Sequence, residues 1–237
     1  MPAAELRTLI ETRVEERLGG RCPAALGWRP RPAAQTAATG IPEVDALTGG
    51  LPRGALTEVC GPGSSGRTAL LLSLLAEFTR RQELCALVDA GDSFDPASAA
   101  AVGVELGHLL WVRCGKVEQA LRAADLVLQA GGFGLVALDL GDVPSATARR
   151  VPLTSWFRFR HALEETPAAL LLLTQEALTG TCAALTLQLA ATAPKESLGL
   201  PAHARRLGGF SVAVEVARSA FARRPGSGMR TAFLADL

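Results

Sequence analysis

The stretch "LTEVCGPGSSGRT" (residues 56–68) decides how this 237-residue chain is read. A short β-type run enters a glycine-rich loop, and "RTALLLSLLAEFTRR" leaves it as a helix. That order is the setting of the phosphate-binding pattern G-x-x-x-x-G-K-[ST]. Gly61 and Gly66 admit tight backbone conformations, and the successive N–H groups between them, at Ser64 and Ser65, form an anion nest. The helix N-terminus adds its partial positive charge, and Thr68 would offer a hydroxyl to magnesium. Arg67 stands where the pattern has lysine. Lysine is a compact point charge and arginine a larger planar fork, so the two are not interchangeable at a close-fitting phosphate site.

Outward from the loop, strand and helix signals alternate. "LCALVDA", "LLWVR", "LVALDL" and "AALLLLT" are apolar runs without alternation, which suits strands buried on both faces. Between them "PASAAAV", "VEQALRAADLVLQA" and "LTSWFRFRHALEE" read as helices. The alternation predicts an α/β fold, a mainly parallel sheet flanked by helices. "SVAVEVARS" and "MRTAFLADL" then alternate with period two around "RRPGSG", predicting a C-terminal antiparallel hairpin. Upstream, Leu6, Ile10, Val14 and Leu18 recur at i+4 steps. The expected organisation is an N-terminal amphipathic helix (1–20), a Pro/Arg-rich linker (21–38) and a core domain (39–237).

Net charge is +1, so any nucleic-acid surface must be a local patch. Only Lys116 and Lys195 are lysines among 24 basic residues, a bias that looks like GC-rich coding. Such drift is expected at free surface positions and not at a lysine on which hydrolysis depends. Five scattered cysteines without C-x-x-C spacing argue for reduced, core-packed thiols and against a disulfide frame or a metal site. No apolar run is long enough to span a membrane, and a cytoplasmic location is expected.

Asp139, at the end of "LVALDL", either caps its strand or holds a metal-site position. "VDAGDSFDP" carries Asp89, Asp92 and Asp95 but no glutamate, and such acids are more often turn formers than catalysts. Arg149 and Arg150, Arg205 and Arg206, and Arg223 and Arg224 at the hairpin tip are candidates for weak contact with DNA phosphates. Their bland alternative is a solvated face. Trp156 and Phe157 could stack on bases, although helical spacing favours the core.

The stretch "TGIPEVDALTGGLPRGALTEVCGPGSSGRT" resembles the start of the ATPase core of RecA-type recombinases. The likeness continues through "CALVDAGDSFDP", "ALRAADLVLQAGGFGLVALD" and "LLLLTQ". Within that superfamily the chain is most similar to the ImuA family, RecA-like accessory proteins of bacterial mutagenesis cassettes. The resemblance implies a RecA-like P-loop core and a nucleotide site at Gly61, Ser64, Ser65, Gly66, Arg67 and Thr68. It places Asp139 on the metal-site aspartate and Gln175 on the phosphate-sensing glutamine.

Three departures stand against hydrolysis. Arg67 replaces the loop lysine, Gly91 stands where the family has its catalytic glutamate, and Ser98 stands where a tyrosine stacks on adenine. No catalytic residue is therefore assigned, no cofactor is required, and ATP with magnesium is expected to bind weakly. The implied role is damage-induced translesion DNA synthesis. Its implied partners are an ImuB-like Y-family homologue, an error-prone DnaE-type polymerase, RecA, and single-stranded or damaged DNA. The alternatives are a modulator of RecA recombination or a weak DNA-dependent ATPase using Asp92 as its base.

Overall fold

The computed structural model describes residues 35–164, 166–196, 207–220 and 231–235. The helix expected over residues 5–18 and most of the expected linker lie outside them. The described part forms an eight-stranded sheet with helices on both faces, beside a two-stranded ribbon. In that ribbon β1 (Thr36–Ala37) pairs antiparallel with β2 (Leu51–Pro52), joined through α1 (Pro42–Thr48). Core pairing thus reaches back to Thr36, inside the stretch expected as linker.

The loop strand β3 (Ala55–Cys60) leads through the glycine loop into α2 (Arg67–Arg80). There follow β4 (Cys85–Asp89), α3 (Pro96–Ala101), β5 (Leu109–Arg113), α4 (Val117–Ala130) and β6 (Leu135–Asp139). Then come α5 (Ser145–Ala148), α6 (Leu153–Leu163) and β7 (Ala169–Thr174). The chain closes with β8 (Leu185–Glu196), β9 (Leu207–Ser219) and β10 (Thr231–Ala235). Strand order is β10-β9-β8-β3-β7-β6-β4-β5, parallel from β8 to β5 and antiparallel at β8–β9 and β9–β10.

Strand periodicity divides the core between the two faces. Val59, Leu87, Ala137 and Leu171 face α2, against Leu70, Leu74 and Phe78. Leu56, Val88, Leu138 and Leu172 face the other way, against Ala120 and Ala124 of α4 and Trp156 and Phe159 of α6. Cys60, Cys85, Cys114 and Cys182 are buried free thiols, as expected from their scatter. No helix among the described residues is long and apolar enough to cross a membrane.

The expected antiparallel closure is present, but it has one strand more than foreseen. β8 lies beside β3, and its pairing with β9 carries irregularities at Thr186/Leu187, Ala191/Ala193 and Pro194/Glu196. Leu187, Leu189, Val212 and Val214 of this ribbon join the α2-side core.

Candidate functional site

The parallel strands end together, so the turns after β3, β4, β6 and β7 gather at one edge of the sheet, where α/β folds place ligands. The loop after β3 is shaped by residues far along the chain. A Cβ at Gly61 would meet the Leu189 carbonyl oxygen at 2.4 Å and Ser65 Oγ at 2.6 Å. Gly66, the N-cap of α2, has φ +93°, and a Cβ there would meet Val212 Cγ2 at 2.6 Å. Only glycine satisfies both the left-handed backbone and the close approach. Ser64 also has positive φ, 60°. Pro62, Gly63, Ser64 and Thr68 are exposed, while Ser65 and Arg67 are buried. The loop therefore presents backbone and the Thr68 hydroxyl to solvent. The first N–H groups of α2 lack intrahelical acceptors, as at any helix start.

Arg67 turns inward. It is 8% exposed, its Nη2 donates to the Gly141 carbonyl oxygen at 3.3 Å, and its Nη1 is buried without a protein partner. Ser65 Oγ is likewise buried and unpartnered. Across Gly141 lies Asp139, whose Oδ1 accepts from Gly141 N–H at 2.7 Å. A side chain at Gly141 would meet Arg67 Nη1 at 2.7 Å and Asp139 Oδ1 at 2.9 Å. Loss of hydration pushes the Asp139 carboxyl up to about 6. The Gly141 N–H and Arg67 hold it down, while Asp89 and Asp142 push it further up.

Gln175, just beyond β7, is bound into the turn after β6. Its Nε2 donates to the carbonyl oxygens of Gly141 (3.1 Å) and Val143 (3.3 Å), and its Oε1 accepts from Ser145 Oγ at 3.1 Å. Arg67, Asp139 and Gln175 thus converge on Gly141, joining three residues that the sequence separates widely.

The turn after β4 is occupied differently. Asp89 accepts from Gly91 N–H, Phe94 N–H and Trp111 Nε1 at 3.1, 3.0 and 3.4 Å. A Cβ at Gly91 would meet Asp142 Cβ at 2.9 Å, so Asp142 crowds the place of the missing glutamate. Asp92 makes a two-pronged ion pair with Arg113, both contacts 2.6 Å, and that bonding holds its carboxyl below the usual range. A carboxylate so held is a poor proton acceptor, which counts against Asp92 as a base. Ser98 Oγ donates to Asp95 within the cap of α3, so it serves its own helix start.

One feature escaped the sequence reading. Glu58, in mid-β3 and 1% exposed, accepts from Leu178 N–H (2.6 Å) and Thr179 Oγ1 (2.7 Å), fastening the turn after β7. Its signal was an acid inside an apolar strand, which burial obliges to find partners. Cys60 is one of the expected core-packed thiols: it donates to Gln188 Oε1 at 3.2 Å, and burial pushes it up to about 11.

Of the candidate DNA-contacting arginines, Arg149 and Arg150 lie among the described residues. Arg149 pairs with Glu176, and Arg150 is exposed beside it. Arg158 pairs with Asp125 and Arg160 with Glu164, while Arg218 donates to the Gly180 carbonyl. Arg205, Arg206, Arg223 and Arg224 lie outside the described residues. Trp156 is core, packed edge-on against Phe159, and Phe157 is exposed.

The profile of the RecA N-terminal domain matches residues 6–149. The RecA protein of Rickettsia bellii (strain RML369-C) is 35% identical over 128 residues, 53% of this chain and 37% of that protein. The RecA protein of Ectopseudomonas oleovorans is 44% identical over 91 residues, 38% of this chain and 26% of that protein. These alignments span well under half the length of the relatives. The crystal structure of the RadB recombinase superposes with a TM-score of 0.62 at 19% identity, covering 83% of this chain and 94% of that one, a likeness of fold.

Proposed function

This chain belongs to the RecA N-terminal domain family, and on that premise we propose that it is a non-hydrolysing RecA-like accessory protein. Its proposed place is damage-induced translesion DNA synthesis, as an adaptor of the ImuA type. It would hold together an ImuB-like Y-family homologue, an error-prone DnaE-type polymerase, RecA and damaged DNA.

One observation carries the non-hydrolysing part: the position of the missing glutamate is filled from the other side. Asp142 leaves no room for a longer residue at Gly91. Asp89 accepts from three donors and Asp92 is paired with Arg113, so both of these carboxylates are already engaged. Loss of an oriented base costs about 10²–10⁴ in rate. The loop and the Gly141 junction persist as architecture, which suits a protein working through its surfaces.

The test is ATP turnover by the full chain with single-stranded DNA, followed by affinity capture from damage-treated cells. Turnover stays at background, and capture recovers polymerase subunits or RecA. Robust turnover abolished by Asp139→Ala would sink this reading.

A further inference from the structure

We propose that Arg67 is the resident cation of the Gly141 junction, so that the loop takes a phosphate-bearing ligand without a divalent metal. This rests on the reading that the loop keeps its anion-binding geometry without hydrolysis.

Magnesium requires a near-octahedral oxygen shell at about 2.0–2.1 Å and retains several waters. By family likeness its place lies between the start of α2 and Asp139. Here a guanidinium fills that neighbourhood. Arg67 Nη1 and Asp139 Oδ1 both come within 3 Å of the position a Gly141 side chain would take. Asp139 Oδ1 is already engaged by Gly141 N–H, and Asp89 by three donors. The one carboxylate that would face a magnesium ion, Asp139, thus already has a buried guanidinium beside it, and that pairing does not suit a dication.

The same residues do fit a fixed positive charge. A buried guanidinium needs nearby negative charge, and Asp139 supplies it across Gly141. A dication brought to the same place would meet a like charge that cannot be titrated away, since arginine stays protonated. On the ligand side, α2 is a 14-residue helix whose first N–H groups face the loop. Ser64 and Gly66 curl that backbone with positive φ, and Ser65 Oγ is a buried hydroxyl lacking a partner. Phosphate oxygens would accept from the loop N–H groups, and the buried Arg67 guanidinium would supply positive charge where a divalent metal would otherwise do so.

The experiment is calorimetric titration of the full chain with inorganic pyrophosphate and with ATP, in EDTA and then in magnesium. Both ligands bind in EDTA, and magnesium changes their affinity by less than about threefold. Arg67→Gln weakens binding in EDTA by about tenfold or more, and Arg67→Lys, with a slimmer cation, restores tighter binding in magnesium. Should Arg67→Gln unfold, manganese resonance decides instead: the wild-type chain leaves the free-ion signal undiminished. Tenfold tighter binding in magnesium, no binding in either buffer, or manganese uptake abolished by Asp139→Asn would each overturn the proposal. ATP turnover would defeat the non-hydrolysing reading while leaving metal-free binding intact. Failure of pyrophosphate to bind in EDTA would do the reverse.

Discussion

Asp89 and Asp139 end adjacent parallel strands in direct register, so two carboxylates stand side by side at the edge of the sheet. They are treated unequally. Asp89 is 1% exposed and satisfied by three donors, which fixes the turn after β4. Asp139 has one backbone donor and looks across Gly141 to Arg67. One acid is structural, and the other retains a charge relationship.

Restoring a glutamate at Gly91 should not restore the reaction and should destabilise the fold. Its Cβ would press on Asp142, and its charge would join Asp89 and Asp142. Overpacking of this kind costs about 1–3 kcal/mol. Urea unfolding of Gly91→Glu, Asp142→Gly and the double variant forms a cycle, and Asp142→Gly, which removes the opposing Cβ, should rescue most of the loss. Additive effects would show that the crowding is not felt.

Gly66 and Gly49 offer a controlled comparison. Both have positive φ, but a Cβ at Gly49 meets nothing within 4 Å, whereas at Gly66 it meets Val212. Gly49→Ala should cost about 1–2 kcal/mol from backbone strain alone, and Gly66→Ala about 2–4 kcal/mol. Equal losses in denaturant midpoint would mean that β9 yields to the loop.

Glu58 gives a pH signature. Burial holds its carboxyl above its ordinary value of 4.5, against hydrogen bonds from Leu178 and Thr179 that pull it down. A folded-state value above the unfolded one means that the folded chain binds the proton more tightly. The stabilisation is full below about pH 4.5 and is lost as pH rises through the folded value. Wild-type stability minus that of Glu58→Gln should therefore fall as pH rises above about 4.5. A difference that is flat or rises with pH would contradict this.

Phe78 is fully buried on the α2 face, with the Arg53 guanidinium 5.0 Å from its ring centroid. Phe78→Ala should destabilise by about 3–5 kcal/mol in chemical unfolding. A loss below about 1 kcal/mol would mean that the α2 face can close over the gap.

The strands β3, β4, β6 and β7 were legible because each is a short apolar run buried on both sides, whereas β5, expected to be buried likewise, is an edge strand with partly buried and exposed residues. β8 was not legible. "LTLQL" alternates, but its meaning depends on lying beside β3, a pairing between residues more than a hundred positions apart. The loop was legible as a motif, while the inward turn of Arg67 was not, since nothing local dictates which way a long side chain points. Gly91 could be recognised as a loss from the resemblance. That Asp142 stands against Gly91 could be known only from packing. Glu58 was visible in principle, because an acid in a doubly buried strand demands donors, but their location was not.

Val212 against Gly66 and the Leu189 carbonyl against Gly61 have a consequence for biosynthesis. The loop is made early in translation, yet the two contacts that confine it come from strands made near the end. Closing such long segments carries an entropic cost that must be met before the contacts form. A nascent chain that has not yet emitted Val212 carries the glycine loop as unconfined sequence. Ribosome-bound fragments ending before β9 should accordingly lack any anion affinity, and the site matures only once β9 has been made.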